Sequence, residues 1–162
     1  MRRLRPLLLI MLVVSLVVAP RGAAATTYTD AVRGIELAAT PTQGVFVGTA
    51  VGSLPGRWAA KVVHTSLSPG GTITGGSFYL ATASTVVAGR FTGGTVSVIN
   101  PGAGCMNQQF GLNGILGNVG PVGTTGTGTG TFTGVLTHYR ANLFGSCVTY
   151  FARVAGSLTL TF

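Results

Sequence analysis

The sequence predicts an all-β protein, folded as a single closed antiparallel up-and-down β-barrel of about eight strands. Three observations carry that expectation. Beyond residue 25 every proline sits in turn-like company, at Thr40-Pro41-Thr42, Leu54-Pro55-Gly56, Ser68-Pro69-Gly70-Gly71, Asn100-Pro101-Gly102 and Gly120-Pro121; proline cannot donate to a ladder and is excluded from central strands. The intervals between these breaks are of strand length, rich in Val, Thr, Phe, Tyr and Gly, and carry no 3.6-residue apolar stripe. Within them a G-x-F-x-G pattern recurs at Gly44–Gly48, Gly89–Gly93 and Gly130–Gly134, with Gly76-Ser-Phe-Tyr-Leu80 as a partial copy. Side chains alternate along a strand, so both glycines and the phenylalanine share one face. A face that pairs a large ring with glycines suits a tightly curved sheet, and curvature repeated along the chain implies closure.

The strands follow in order. The first, 28–38, stops before Pro41; the second, 44–53, opens on the first repeat and stops before Pro55; the third, 57–66, stops before Pro69. The fourth, 72–82, follows Gly70-Gly71 and contains the partial copy, and the fifth, 86–99, contains the second repeat and ends at Pro101. The sixth spans 107–117, the seventh, 129–140, contains the third repeat, and the eighth spans 147–161. The stretch GTTGTGTGTFTG at Gly123–Gly134 is wall rather than a phosphate cradle. A phosphate loop needs a following helix and usually a lysine, whereas here Phe132 to Tyr139 is strand-like and no lysine follows. Its low-complexity part is expected to be a mobile hairpin arm that becomes wall at Thr129. Larger residues should therefore be costly at Gly93 or Gly134 and cheap at Gly126 or Gly128.

Residues 1–25 combine Arg2, Arg3 and Arg5, an apolar run from Leu7 to Ala19, and the small-residue exit Ala23-Ala24-Ala25, the arrangement of a secretory signal peptide. The run is shorter than the roughly 20 residues that span a bilayer, so the mature form is expected to have no membrane span and to be secreted or periplasmic. Residues 26–162 then form one β-barrel domain, long enough to bury a core. The mature chain keeps Arg33, Arg57, Lys61, Arg90, Arg140 and Arg153 against Asp30 and Glu36, a net charge of +4. These charges are scattered singly, without a basic run or interleaved aromatics, which argues against nucleic acid as a partner and allows only a mild attraction to anionic surfaces. The oligomeric state is left open.

Between residues 37 and 162 there is no Asp or Glu. Paired-acid hydrolysis is excluded, and a Ser-His-Asp triad lacks its orienting acid unless Asp30 or Glu36 reaches in. No catalytic residue, cofactor or metal is assigned. The residues left for a site are placed by parity: with Lys61 and Arg90 facing solvent, Trp58, Val62 and His64 share the inner face of the third strand and Phe91 that of the fifth. Matching Phe132 to Phe91 through the repeat turns Leu136 and His138 inward as well. Both histidines lie late in odd-numbered strands and so approach the same mouth. The candidate ligand-binding set is His64, His138, Trp58, Phe91, Phe132 and Arg140, with Arg140 equally readable as a solvated hairpin charge. Trp58, Phe78, Phe110 and Phe151 also read as ordinary core aromatics.

The segment Gly128-Thr-Gly-Thr-Phe132 followed by Gly134 resembles the glycine-threonine-glycine-x-phenylalanine signature in the penultimate strand of the allene oxide cyclase and dirigent barrel proteins, and Val148-Thr-Tyr-Phe-Ala-Arg-Val-Ala-Gly156 is similar to their closing strand. The resemblance covers about the last 35 residues. It implies an eight-stranded antiparallel barrel with an apolar cavity. Those families place acidic residues in the cavity, and here the reaction is not carried over. Three functions follow as alternatives. The first is a secreted barrel that binds a small, largely apolar ligand, or guides its reactivity without covalent chemistry. The second is a non-enzymatic surface or matrix protein presenting Asn100–Met106 and Gly117–Gly128 to a partner. The third is a small outer-membrane barrel, suggested by the alternating end Gly156-Ser-Leu-Thr-Leu-Thr-Phe162.

Cys105 and Cys147 are the only cysteines, and in an exported chain a lone pair is most simply one disulfide. Closing that loop stabilises the fold by about 4 kcal/mol on the chain-entropy view. Intact mass after alkylation, with and without reductant, is expected to show the two thiols blocked until reduction; two freely alkylated thiols in the folded protein would contradict it.

Overall fold

Alternation of inward apolar and outward polar side chains generates eight strands: β1 (Thr27–Thr40), β2 (Gln43–Gly52), β3 (Gly56–His64), β4 (Gly70–Thr82), β5 (Val86–Asn100), β6 (Gln108–Pro121), β7 (Gly128–Leu143) and β8 (Ser146–Thr161). A single 3-10 turn, Ala103–Cys105, interrupts the β5–β6 connection. The computed structural model describes residues 24–67 and 70–162. The expected signal peptide lies, but for its last two residues, outside the described residues. Each strand pairs antiparallel with its sequence neighbours, and β1 pairs with β8 from Thr27↔Thr161 to Ile35↔Arg153, so the sheet closes into a barrel.

The ends of odd-numbered strands and the starts of even-numbered ones form one end of the barrel, the mouth; the opposite end is the floor. The floor is packed shut. Leu80, Val87, Val119 and Leu160 have no exposed surface, with Leu158 and Ala50 beside them. The β2–β3 turn is tied across it by Asp30, whose Oδ1 accepts from the Leu54 amide at 2.8 Å. Asp30 is 1% exposed and its Oδ2 has no protein partner. The disulfide Cys105–Cys147, Cα–Cα 5.5 Å, lies at the mouth and fastens the β5–β6 connection to the start of β8.

The repeat works as curvature at the level of single rings. Phe46, Phe91 and Phe132, with Phe78 of the partial copy, all face inward. The rings pack closely against glycine. A β-carbon built at Gly44 would sit 2.6 Å from the Phe46 ring, at Gly114 2.8 Å from Phe91, at Gly134 2.8 Å from Phe132, and at Gly34 2.6 Å from the Trp58 indole. Glycine also faces glycine across the ladder at Gly34↔Gly48, Gly94↔Gly114 and Gly134↔Gly156, where a side chain would drive into the neighbouring backbone.

Three expectations are corrected. β6 does not stop at residue 117 but continues to Pro121, because a bulge at Asn118 (φ 54°) lets the chain bend and resume pairing, through Val87↔Pro121. The connection after β6 therefore shrinks to 122–127, and it is no loose arm: a β-carbon at Gly126 would strike the Asn118 carbonyl, and one at Gly128 would lie 2.7 Å from the Val119 carbonyl oxygen. Phe151 is not core; it is 41% exposed and its ring lies 5.6 Å from that of Tyr139 on the outside. Trp58, Phe78 and Phe110 are buried as expected.

The glycines sort differently from the sequence expectation, with Gly134 costly as expected but Gly93 open and Gly126 and Gly128 close-packed. At Gly134 a β-carbon would meet the Ala155 carbonyl oxygen at 2.6 Å and the Phe132 ring, whereas at Gly93 nothing lies within 4 Å. Gly134→Ala and Gly128→Ala are each expected to destabilise by about 1–3 kcal/mol through overpacking, and Gly93→Ala to be neutral or to stabilise by up to about 0.5 kcal/mol by restricting the unfolded chain. Urea unfolding midpoints check this; equal losses at Gly93 and Gly134 would contradict it.

Candidate functional site

The inward residues of the upper barrel do not fill it. A cavity of about 90 Å3 opens toward the mouth, lined by apolar side chains from all eight strands, among them Trp58, Phe91, Phe132, Val96, Leu136 and Val154. Among the described residues its polar side chains are Glu36, Thr40, His64 and His138. All four lie in the later parts of β1, β3 or β7, which topology brings to the mouth. The site is thus an apolar slot with its polarity gathered at the open end.

Glu36 and His138 meet there. Strand parity carries Asp30, Val32 and Glu36 inward along β1, and a bulge between Glu36 and Ala38 ends that alternation. His138 is inward on β7, opposite Ala152 of β8. The small Ala152 side chain leaves room for the two longer ones to join across β8: Nε2 of His138 lies 3.1 Å from Oε2 of Glu36, with the two side chains 14% and 9% exposed. The neutral imidazole donates from Nε2 to the carboxylate, leaving Nδ1 as acceptor; the protonated ring makes an ion pair. The His138 ring is held edge-on to Phe110, with centroids 5.3 Å apart. Gly44 makes space for the carboxylate, since a β-carbon there would lie 2.7 Å from Oε1 of Glu36.

His64 comes inward at a register shift between Val63 and His64. Its Nδ1 is 2.6 Å from the Thr65 carbonyl oxygen. A carbonyl only accepts, so Nδ1 carries the proton, and Nε2 is the acceptor in the neutral ring.

The structure brings together five of the six residues assigned from sequence. Trp58, Phe91, Phe132, His64 and His138 all line the cavity. Arg140 does not. Its Nη1 donates to the Gly102 carbonyl oxygen at 3.2 Å and its backbone amide to Oδ1 of Asn107 at 3.2 Å, so it braces the β5–β6 connection instead of facing a ligand. Sequence reasoning missed Glu36 as a member of the site. The signal was its inward parity with Val32 and its standing as one of only two acids in the chain.

Chemically, the pair can hold or accept a proton at the mouth of an apolar slot. No serine or cysteine among the described residues lines the cavity beside the pair. Among the described residues no three His, Cys, Asp or Glu side chains gather as metal ligands would.

His138→Leu is expected to destabilise by about 1–3 kcal/mol, because it strips the nearly buried Glu36 carboxylate of its donor. The double replacement Glu36→Leu with His138→Leu should recover part of that loss. A double-mutant cycle on urea unfolding checks the coupling; strictly additive losses would mean that the pair is not an energetic unit.

Comparison with protein families, with curated proteins and with solved structures finds no match to this chain, so a functional reading rests on the chemistry of the cavity itself.

Proposed function

We propose that the protein is a secreted or periplasmic binding protein whose barrel takes a small amphipathic ligand, apolar end first, through the mouth. The observation that carries this reading is the combination of an apolar slot with a carboxylate–imidazole pair at its open end. Binding sites of this kind use apolar walls for affinity and a few convergent polar groups for orientation. The volume sets the shape of the ligand. A cavity of about 90 Å3 is smaller than the roughly 150 Å3 apolar cavity that holds benzene. A slender apolar chain or small ring enters it, while the polar remainder stays among Glu36, His138 and His64.

The disulfide fits a non-cytosolic protein, and the basic and apolar N-terminal segment supports export. The alternation of the wall favours this reading over an outer-membrane barrel. Membrane barrels turn apolar side chains to lipid and keep a polar interior, whereas here the interior is Leu, Val and Phe and the outer face of β7 carries Thr129, Thr131, Thr133 and Thr137. The resemblance to allene oxide cyclase and dirigent barrels enters this proposal only as a likeness of shape, an apolar cavity in a small barrel.

Native mass spectrometry of the exported protein is expected to show an adduct that solvent extraction releases as an amphipathic small molecule. Ala60 is buried and lines the slot, so Ala60→Leu should fill it and remove the adduct while the far-ultraviolet circular dichroism stays unchanged. No adduct in the wild-type protein, and no small molecule in its extract, would defeat the reading.

A further inference from the structure

The last ladder pair between β6 and β7 is Gln108↔His138, and the last between β1 and β8 is Ile35↔Arg153. β7 and β8 nevertheless go on pairing with each other to Leu143↔Ser146. Residues 139–151 therefore project past the rim as a two-stranded arm beside the cavity mouth. Such a hairpin is marginal alone in water. Here the Cys105–Cys147 disulfide staples it to the β5–β6 connection, and Arg140 braces its root through Gly102.

The arm is exposed and apolar. Leu143, Phe144, Val148 and Tyr150 are 50%, 106%, 39% and 65% exposed, and Met106, next to the stapled cysteine, is 58% exposed. The tip is a two-residue turn whose central residues, Phe144 (φ 51°) and Gly145 (φ 84°), both take left-handed backbone. That turn favours Asn-Gly, and a bulky residue there is a genuine outlier. The turn thus holds a phenylalanine out in solvent, touching nothing, at a position that local sterics would give to asparagine.

The charges complete the picture. The chain has two acids, and both point inside: Asp30 into the floor and Glu36 into the mouth. The outer wall carries the exposed cations Arg33, Arg57, Lys61, Arg90 and Arg153 and no acidic side chain, with Arg140 half-buried at the root of the arm. Of these cations Arg140 and Arg153 stand at the root of the arm, whereas Arg57 and Arg90 lie toward the floor. We infer that the β7–β8 arm docks the barrel mouth-first on an anionic lipid surface, with Phe144 and Leu143 entering the interface and Arg140 and Arg153 nearest the headgroups. Apolar side chains that enter the interface and cations that meet anionic headgroups act together in this kind of binding. The inference does not depend on the cavity holding a ligand.

The test is flotation of the full chain, expressed in an exporting host and recovered oxidised, with vesicles of phosphatidylcholine alone or mixed in equal parts with phosphatidylglycerol. All variants share the same N-terminus. The wild type is expected to float with the mixed vesicles and to be released by high salt. Phe144→Asn should weaken that binding about tenfold or more, the loss of one buried aromatic side chain, while the melting temperature holds or rises because asparagine suits the turn. Arg153→Gln should weaken binding to the mixed vesicles only. Wild-type protein that floats with neither vesicle, or Phe144→Asn that floats as well as wild type, would overturn the inference. So would a dimer that sedimentation shows Phe144→Asn to dissolve without any vesicle binding, since the arm's occupant would then be a second copy.

Discussion

Aromatic rings packed directly on glycine are the constraint from which the rest of this barrel follows. A small closed barrel must bend its wall sharply and still fill its interior with large side chains, and the two demands conflict wherever a β-carbon stands under a ring. Glycine at positions 34, 44, 114 and 134 removes the conflict, letting Trp58, Phe46, Phe91 and Phe132 press against bare backbone. The indole of Trp58 is further fixed by its Nε1–H, which donates to the Thr49 carbonyl oxygen at 3.1 Å. Glycine pairs across the ladder allow the same close approach between strands. The cost is conformational entropy in a glycine-rich chain, partly offset by the disulfide.

Rings pinned to the wall leave the axis of the barrel to be filled from its ends, and the ends differ. At the floor, leucine and valine meet without a gap, and Asp30 latches the β2–β3 turn over them. At the mouth, β1 parts from β8 beyond Ile35, the strands that continue carry Glu36, His64 and His138, and a slot remains. The same divergence frees the β7–β8 hairpin. An open cavity, a polar rim and a projecting arm are thus three consequences of one change in pairing at one end of the sheet.

Strand periodicity made most of this legible. Proline and glycine breaks located all eight strands, and parity from Lys61 and Arg90 turned both histidines inward to the same end. The failures have physical causes. The bulge at Asn118 hid the last residues of β6, since a single left-handed residue resets the pairing without any composition signal. Phe151 was misplaced, and Arg140 was left between ligand contact and hairpin charge, because beyond His138 the hairpin has no barrel around it and inside and outside lose their meaning. Glu36 was named as an acid able to reach in but was not placed with His138, because its partner lies 102 residues away in sequence and only closure of β1 on β8 brings the two together.

The central claim is that rings packed against glycine leave an apolar slot between them, open at the mouth. Xenon under pressure occupies such cavities because it is apolar and polarizable. A crystal exposed to xenon is expected to show an atom among Phe46, Phe91, Phe132 and Leu136, absent from crystals of Ala60→Leu. A wild-type crystal with no xenon among those four side chains would contradict the account.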